Sequence, residues 1–481
     1  MADPIYNIWI RSYDSNPADP KLKREALVTV YSKLEFKIVY NNVGGWTLTM
    51  PGDISEANLL KSLLIGTPGE PSNTAKGYGG IVVTRNGDIV FSGPVRGFTE
   101  TGDYTGPTGK EIEFWGIDDT GYLASRIPMA PAPAQNGNPP AGTGADAGQF
   151  VAPYFNNWSY WVYGGPVTTS SSVMVNLIRT NIGDVSPFNL GEQTANRRIP
   201  FLDVAYTEPL VPFGPTNFIS RSRYAGTLLE KVQEAAVYIT PGYAGIYPGA
   251  YRGAAFRIVQ TENDRLSCNI WDPRGPNHNK GAVFSAGFGN LGSYKYSHQA
   301  PDTNYCIAGG QADDNPNARN GTTRWFFHRG SESIGYPSVE RYGLWEGYID
   351  RRDVQYQPPP GGFVTTRGEE SPVYIEMTNE IVNAMDVELR EKGEQVHIEI
   401  TAINVPPTVW PADYNVGDIV TVVIDNYQYQ DIVRDVTVTL TKEEGEVVRP
   451  TIGTEATGMS VRLFEKFNQI DSSINALNSS E

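Results

Sequence analysis

The sequence predicts a mainly β fold with α+β insertions, and three observations carry that prediction. Hydrophobic residues make up 40% of the 481 and charged residues only 19%, while Gly (50), Pro (35) and Tyr (27) are abundant, a mixture suited to short strands joined by turns. Segments in which apolar and polar residues alternate recur along the chain, with Gly, Asn and Pro turn signals between them. At roughly 150 residues per domain the length corresponds to about three domains, enough to bury several cores.

The first region, residues 1–125, reads as strands at Ile5, Ile8 and Ile10 around Trp9, then Leu27 to Val30, Leu34 to Ile38, Trp46 to Met50 and Gly80 to Val83. Asn41 to Gly45 and Arg85-Asn86-Gly87-Asp88 are turn signals, and Asn86-Gly87 suits the positive-φ positions of a tight hairpin. A short helix is expected from Ser55 to Leu64, with Ser55 as cap and Leu59, Leu60, Leu63 and Leu64 on one face.

Residues 126–260 form an inserted mixed α/β region. It opens with a stretch from Pro128 to Gly148 rich in Pro, Ala, Gly and Asn, read as a flexible excursion or a domain boundary. Ser170 to Ser172 can cap a helix carrying Val173, Leu177 and Ile178, and Gly226-Thr227 can open another carrying Leu228, Leu229, Val232 and Ala236. Strands resume at Ala255 to Val259 and, in a second β-rich region (261–372), at Leu266 to Trp271. A linker at Gln357 to Gly362 leads to residues 373–456, where a helix from Asn379 to Lys392 sets Ile381, Met385 and Leu389 one turn apart. Strands follow at Val396 to Ile400, Ile419 to Ile424 and Val433 to Leu440.

An internal echo links the two ends. Val95 to Thr99 followed by Glu111 to Gly116 parallels Val433 to Thr437 followed by Val447 to Gly453. Two related small barrels would account for it, as would the general similarity of antiparallel hairpins.

In the last segment, 457–481, Leu463, Phe467, Ile470, Ile474 and Leu477 are spaced four, three, four and three, the seam of a coiled coil. Such a stripe needs a partner; it leans toward three strands, the alternative being that it packs on its own domain.

The formal charge is −16, and it is concentrated: Glu369 to Glu481 holds 21 acids against 7 bases. An acidic surface repels phosphate, so this part could line a passage through which DNA slides without sticking, or it could serve solubility. No apolar run is long enough for a membrane span and Met1 to Tyr13 lacks signal-peptide character, so folding in a cytoplasm without stable membrane insertion is expected. Cys268 and Cys306 make either one disulfide or two buried thiols, the thiols being favoured in a reducing compartment.

Signatures for catalysis are weak. His278, His298, His328 and His397 are scattered without metal-ligand spacing, and neither a G-x-S-x-G elbow nor a phosphate-binding loop occurs. Gly287 to Gly292 matches G-x-G-x-x-G, but the residues after it alternate like a strand and offer no helix N-terminus. Asp313-Asp314-Asn315, and Asp350 with Asp353, are carboxylate groupings that read equally as solvated turns. The expectation is a protein that is not an enzyme and has no cofactor or metal. Trp158 and Trp161, in the aromatic run Tyr154 to Tyr163, are candidate surface contacts for sugars or a partner protein; a core or subunit interface is the other reading.

Several segments in order resemble a known family. Leu34 to Leu48 with Tyr40-Asn41-Asn42-Val43-Gly44-Gly45-Trp46, then Gly80 to Val83 and Val90 to Pro94, resemble the N-terminus of siphophage minor tail proteins from phages of Gram-positive hosts. Asn181-Ile182-Gly183, Arg198-Ile199-Pro200, Val283-Phe284-Ser285, Gly309-Gly310-Gln311, Tyr348 to Asp353, Val416 to Val422 and Pro450 to Gly453 continue the resemblance over roughly residues 5 to 455. The excursion near residue 135 and the segment from Ala205 to Pro215 depart from it.

The resemblance implies a tail-tip or baseplate hub: a homotrimer whose two small β-barrels per chain, 1–125 and 373–456, make a pseudo-six-fold ring under a hexameric tail tube. It also implies partners among distal tail and tail tube proteins, the tape-measure protein and other minor tail proteins or fibres, with DNA passing transiently, at the tail tip of a virion assembled in the host cytoplasm. A cell-wall hydrolase and a receptor-binding module are the alternatives.

Overall fold

Where the N-terminal sequence alternates, the chain is extended and one face of each strand is buried. The protein is seen here as a computed structural model that describes residues 4–14, 16, 19–66, 78–102, 109–128, 161–163, 170–183, 198–204, 220–222, 226–237, 254–273, 277–278, 280–310, 326–334, 338–351, 381–382, 384–389, 391–425 and 427–453. Its first strands are β1 (Tyr6–Asp14), β2 (Lys21–Val28), β3 (Lys33–Val39) and β4 (Gly45–Pro51). Helix α1 (Ser55–Ile65) precedes β5 (Gly80–Arg85), β6 (Asp88–Thr101), β7 (Glu111–Ile117) and the one-turn α2 (Gly121–Ala124). Leu34, Phe36 and Ile38 of β3 and Trp46, Leu48 and Met50 of β4 face one core, as period-two alternation requires.

The β5–β6 hairpin turns through Asn86 (φ 53°) and Gly87 (φ 102°), the left-handed pair that a two-residue turn needs. In α1, Leu60 and Leu63 are buried with Ala57, while Leu59 and Leu64 pack half-buried against the same core. Ser55 is not its cap. Ile54 holds that position without a side-chain bond, and the Ser55 hydroxyl donates instead to Glu56 Oε2 at 2.8 Å.

The insertion contains β8 (Trp161–Tyr163), α3 (Ser170–Asn181), β9 (Leu202–Val204), β10 (Ser220–Ser222), α4 (Leu228–Val237), β11 (Ala255–Gln260) and β12 (Leu266–Trp271). β11 pairs antiparallel and β9 parallel with β12, so one small sheet crosses the 260/261 boundary. Val173, Leu177 and Ile178 of α3 and Leu228, Leu229, Val232 and Ala236 of α4 share a core with Phe256, Ile258 and Ile270. Thr227 caps α4 reciprocally: the Glu230 amide donates to Thr227 Oγ1 at 3.2 Å, and the Thr227 amide donates to Glu230 Oε2 at 3.1 Å.

Next come β13 (Val283–Ser285), β14 (Leu291–Gln299), β15 (Tyr305–Gly310), β16 (Phe326–Gly330), the short α5 (Val339–Tyr342) and β17 (Glu346–Arg351). β15 lies between antiparallel β16 and parallel β17, and its Cys306 and Ala308 pack on Ile381, Met385 and Leu389. Those three stand one turn apart on helical residues within 381–391, at the spacing read from the sequence. The last described strands are β18 (Gln395–Ala402), β19 (Ile419–Ile424), β20 (Tyr427–Thr441) and β21 (Gly445–Gly453).

Among the described residues the N-terminal and C-terminal strands meet in one 13-stranded sheet of order β14-β18-β21-β20-β3-β4-β7-β6-β5-β1-β2, to which β19 adds beside β20 and β13 beside β19. Within it the same pattern occurs twice. The neighbours β3-β4-β7-β6-β5 correspond in space and in chain order to β14-β18-β21-β20-β19. β6 pairs with β5 up to Pro94 and with β7 from Val95; β20 pairs with β19 up to Ile432 and with β21 from Val433. Both ladders shift register directly after that valine, leaving Arg96 in one and Arg434 in the other as the extra residue of a β-bulge. The sequence echo is therefore a shared register and not merely a shared hairpin shape.

The expected barrels need correction. Among the described residues neither unit closes on itself; the first opens into the second through the β3–β20 ladder, Val39 opposite Asp435 to Lys33 opposite Thr441. Closure within a unit fails because β20 turns the far edge of its second half to β3. One apolar core, with Phe36, Phe91, Phe284, Trp410 and Tyr414, runs under both units. A polar cluster ties them as well: Arg85 donates to both Glu446 oxygens (2.8 and 3.2 Å), Tyr6 donates to the same carboxylate, and the guanidinium lies 5.8 Å from the Trp410 ring.

Candidate assembly surface

Two strand edges and the side chains beside them make the most conspicuous feature. β14 pairs with β18 on one side only, and β6 from Gly97 to Thr101 pairs with β7 on one side only, among the described residues. Register fixes which residues correspond: through the β4–β7 and β18–β21 ladders, Leu34 and Phe36 of β3 match Tyr294 and Tyr296 of β14. Leu34 and Phe36 are 0% exposed, whereas Tyr294 is 47% and Tyr296 37% exposed. On the other edge Val436 and Val438 are buried, and so is Thr439, whose match in β6, Thr101, is exposed.

Exposed Leu344, Trp345 and Tyr348 follow or lie within α5 to β17. α5 reaches the β14 edge through Tyr342, whose hydroxyl meets His298 Nε2 at 3.0 Å and donates to Glu394 Oε1 at 2.8 Å. His298 Nε2 lies 2.6 Å from the same carboxylate oxygen, and Arg341 donates to it at 3.1 Å. This polar network holds the edge strand in place without covering it.

A cleft of about 380 Å³ lies elsewhere, lined by Arg257, Trp271, His278, Lys280, Pro411 and Asp418 among others. His278 Nδ1 sits 2.6 Å from Asp418 Oδ1 and the imidazole stacks on Trp271 at 5.4 Å. A histidine oriented by a carboxylate can serve as a base, but acyl transfer also needs a nucleophile, and the described lining contains no Ser, Thr or Cys. No group of three or more His, Cys, Asp or Glu able to hold a metal occurs among the described residues.

Leu463, Phe467, Ile470, Ile474 and Leu477, and Trp158, lie outside the described residues, as do Asp313, Asp314, Asn315 and Asp353. Trp161 pairs through its backbone with Ser222. Gly287 to Gly292 forms a 3-10 turn over Ala286–Phe288 that runs into β14, so it opens no helix. Cys268 and Cys306 are buried free thiols in separate cores, and burial pushes both up to about 12. Several C-terminal acids are paired rather than free: Glu446 with Arg85, Asp386 with Arg329 and Asp435 with Lys37. Sequence reasoning missed the two open edges. Their signal was the echo itself, once the matching strands are compared for aromatic content at positions that should be core.

The family model for Siphovirus ReqiPepy6 Gp37-like proteins matches residues 13–454, nearly the whole chain and both five-strand units. The chain belongs to that family. The Gp37-like chain is accordingly a member of a siphovirus protein family, the class of virus its resemblance implied. Among solved structures it is similar to a tail protein from Neisseria meningitidis MC58 (8% identity, 94% of this chain and 97% of that one, TM-score 0.49). It is also similar to the 43 kDa tail protein of prophage MuSo2 from Shewanella oneidensis (9%, 93% and 98%, 0.47) and to prophage tail protein gp18 from Listeria monocytogenes EGD-e (10%, 97% and 99%, 0.43). These likenesses are remote in sequence. No curated protein matches the Gp37-like chain.

Proposed function

We propose that this Gp37-like protein is the trimeric hub of the tail tip, a symmetry adaptor between a hexameric tail tube and the central, host-binding apparatus, and that it acts mechanically and not as an enzyme. The observation that carries the reading is the repeated unit. A chain holding two copies of one five-strand pattern, with the bulge at Arg96 and Arg434 in the same register, offers six near-equivalent faces when three chains surround an axis. Exposed aromatics at positions that are core in the first unit fit a chain whose folding is completed by its siblings.

In this reading the hub meets distal tail, tube and tape-measure proteins on one side and other minor tail proteins or fibres on the other. It gates the passage of DNA, and the seam at Leu463, Phe467, Ile470, Ile474 and Leu477 starts a three-stranded bundle. The test is stoichiometry: counting copies per purified tail against the tube protein should give three. A single copy per tail would remove the reading, and release of muropeptides from purified peptidoglycan would replace its mechanical part with a hydrolase.

A further inference from the structure

We infer that the β14 edge of one copy pairs antiparallel with the second half of β6 in the neighbouring copy, in the register with Ser297 opposite Thr99. The inference rests on the trimeric reading and specifies how its copies join. The β3–β20 ladder inside the chain is the template, because it is the junction between a first unit and a second unit. Exchanging the units converts β3 into β14 and β20 into β6. The second junction this generates cannot form within the chain, where each of these edges is open among the described residues.

Register transfers residue by residue. Lys37 opposite Thr437 becomes Ser297 opposite Thr99, Ile38 opposite Val436 becomes His298 opposite Phe98, and Phe36 opposite Val438 becomes Tyr296 opposite Glu100. The aromatic pairing survives the transfer: Phe36 and Phe91 have ring centroids 5.0 Å apart, and so do their matches Tyr296 and Tyr429.

Phe36 also packs on Trp410, which lies in the segment joining β18 to β19 in the other unit. The matching segment of the first unit, between β4 and β5, is α1, whose Lys61 already lies over Phe98 and pairs with Glu100. Tyr296 of one copy thereby gains α1 and Phe98 of the next as its cover, completing a core that is open among the described residues of one chain. An unpaired strand edge flanked by half-exposed aromatics is otherwise an aggregation template, which is a reason for it to be occupied in the assembly.

The experiment uses the full chain carrying Ser297→Cys and Thr99→Cys together, with mass in solution measured alongside. Three associated chains and covalent inter-chain products under mild oxidation, absent from either single variant and at least tenfold less with Ser297→Cys and Thr101→Cys, are expected. Amide exchange on the unmodified protein supplies a second readout: β14 and residues 97–101 should be as protected as β3 and the second half of β20. Three associated chains with no cross-link and rapidly exchanging β14 amides would overturn the edge pairing while leaving the trimer intact. A chain that stays single at all concentrations would overturn both. Cys268 and Cys306, being buried, do not compete for the new thiols.

Discussion

Tyr296 occupies in the second unit the position that Phe36 occupies in the first, and the two differ in their surroundings more than in their chemistry: Phe36 is fully buried and Tyr296 is 37% exposed. Truncation should separate the two roles. Phe36→Ala leaves a cavity in the shared core and should cost about 3 to 5 kcal/mol of unfolding free energy. Tyr296→Ala should cost a lone chain about 1 kcal/mol or less, while shifting self-association to higher protein concentration. Urea unfolding at several concentrations measures both; equal losses for the two variants at the lowest concentration would speak against the assignment.

Glu446 joins Arg85, Tyr6 and Asn404 at the seam between the units. Removing one partner of a largely buried pair strands the other, so Arg85→Ala should destabilise by about 3 to 5 kcal/mol, an effect reduced in the double variant Arg85→Met, Glu446→Leu. A double-variant cycle followed by thermal unfolding reads this coupling. Additive effects would mean that the two side chains act independently.

Asp118 lies fully buried after β7, and burial pushes its carboxyl up to about 7 against the opposing pull of Arg257. In the unfolded chain an aspartate titrates near its ordinary value of about 3.9. Between these two values the folded state holds the proton that the unfolded state has lost, so this group makes stability fall as pH rises from about 4 to about 7 and level off above. Asp118→Asn should therefore stabilise the protein at pH 8, by at most about 4 kcal/mol, and change little at pH 4. Unfolding midpoints of both proteins across that range check the sign, and a larger gain at pH 4 than at pH 8 would refute it.

Where β6 changes partners the backbones come close. A Cβ at Gly93 would stand 2.0 Å from Ile117 O, and one at Gly116 2.1 Å from Pro94 O. Since the obstacles are backbone atoms, Gly93→Ala should cost about 1 to 3 kcal/mol or more. The matched positions in the second unit are Asp431 and Ile452, so that crossing tolerates side chains, and Ile452→Val there should cost only about 0.5 to 1.5 kcal/mol. Chemical unfolding of the two variants provides the comparison; equal costs would mean that the two crossings are not distinguished by backbone approach.

Much of the fold was legible because local rules were sufficient for it. Alternation located β3, β4, β5 and β19, Asn86-Gly87 located a hairpin, and Ile381, Met385 and Leu389 located a helical face, since each depends on residues near one another in the chain. Ser55 failed as a cap because Ile54 takes the extended cap conformation and the serine hydroxyl prefers Glu56. The division into closed barrels was not legible, because it depends on whether β3 returns to its own unit or pairs with β20, some 400 residues away. The same non-local choice creates the open edges of β14 and β6. Alternation in Ser293 to Gln299 says only that a strand is present, not that its tyrosines stand exposed where the matching Leu34 and Phe36 are buried.

Sedimentation of the purified chain shows whether three copies join through the β14 edge. The expected result is a species of three times 52.8 kDa that dissociates when Tyr294 and Tyr296 are both replaced by Asp. A single 52.8 kDa species at every concentration, with the β14 amides exchanging freely, would contradict it.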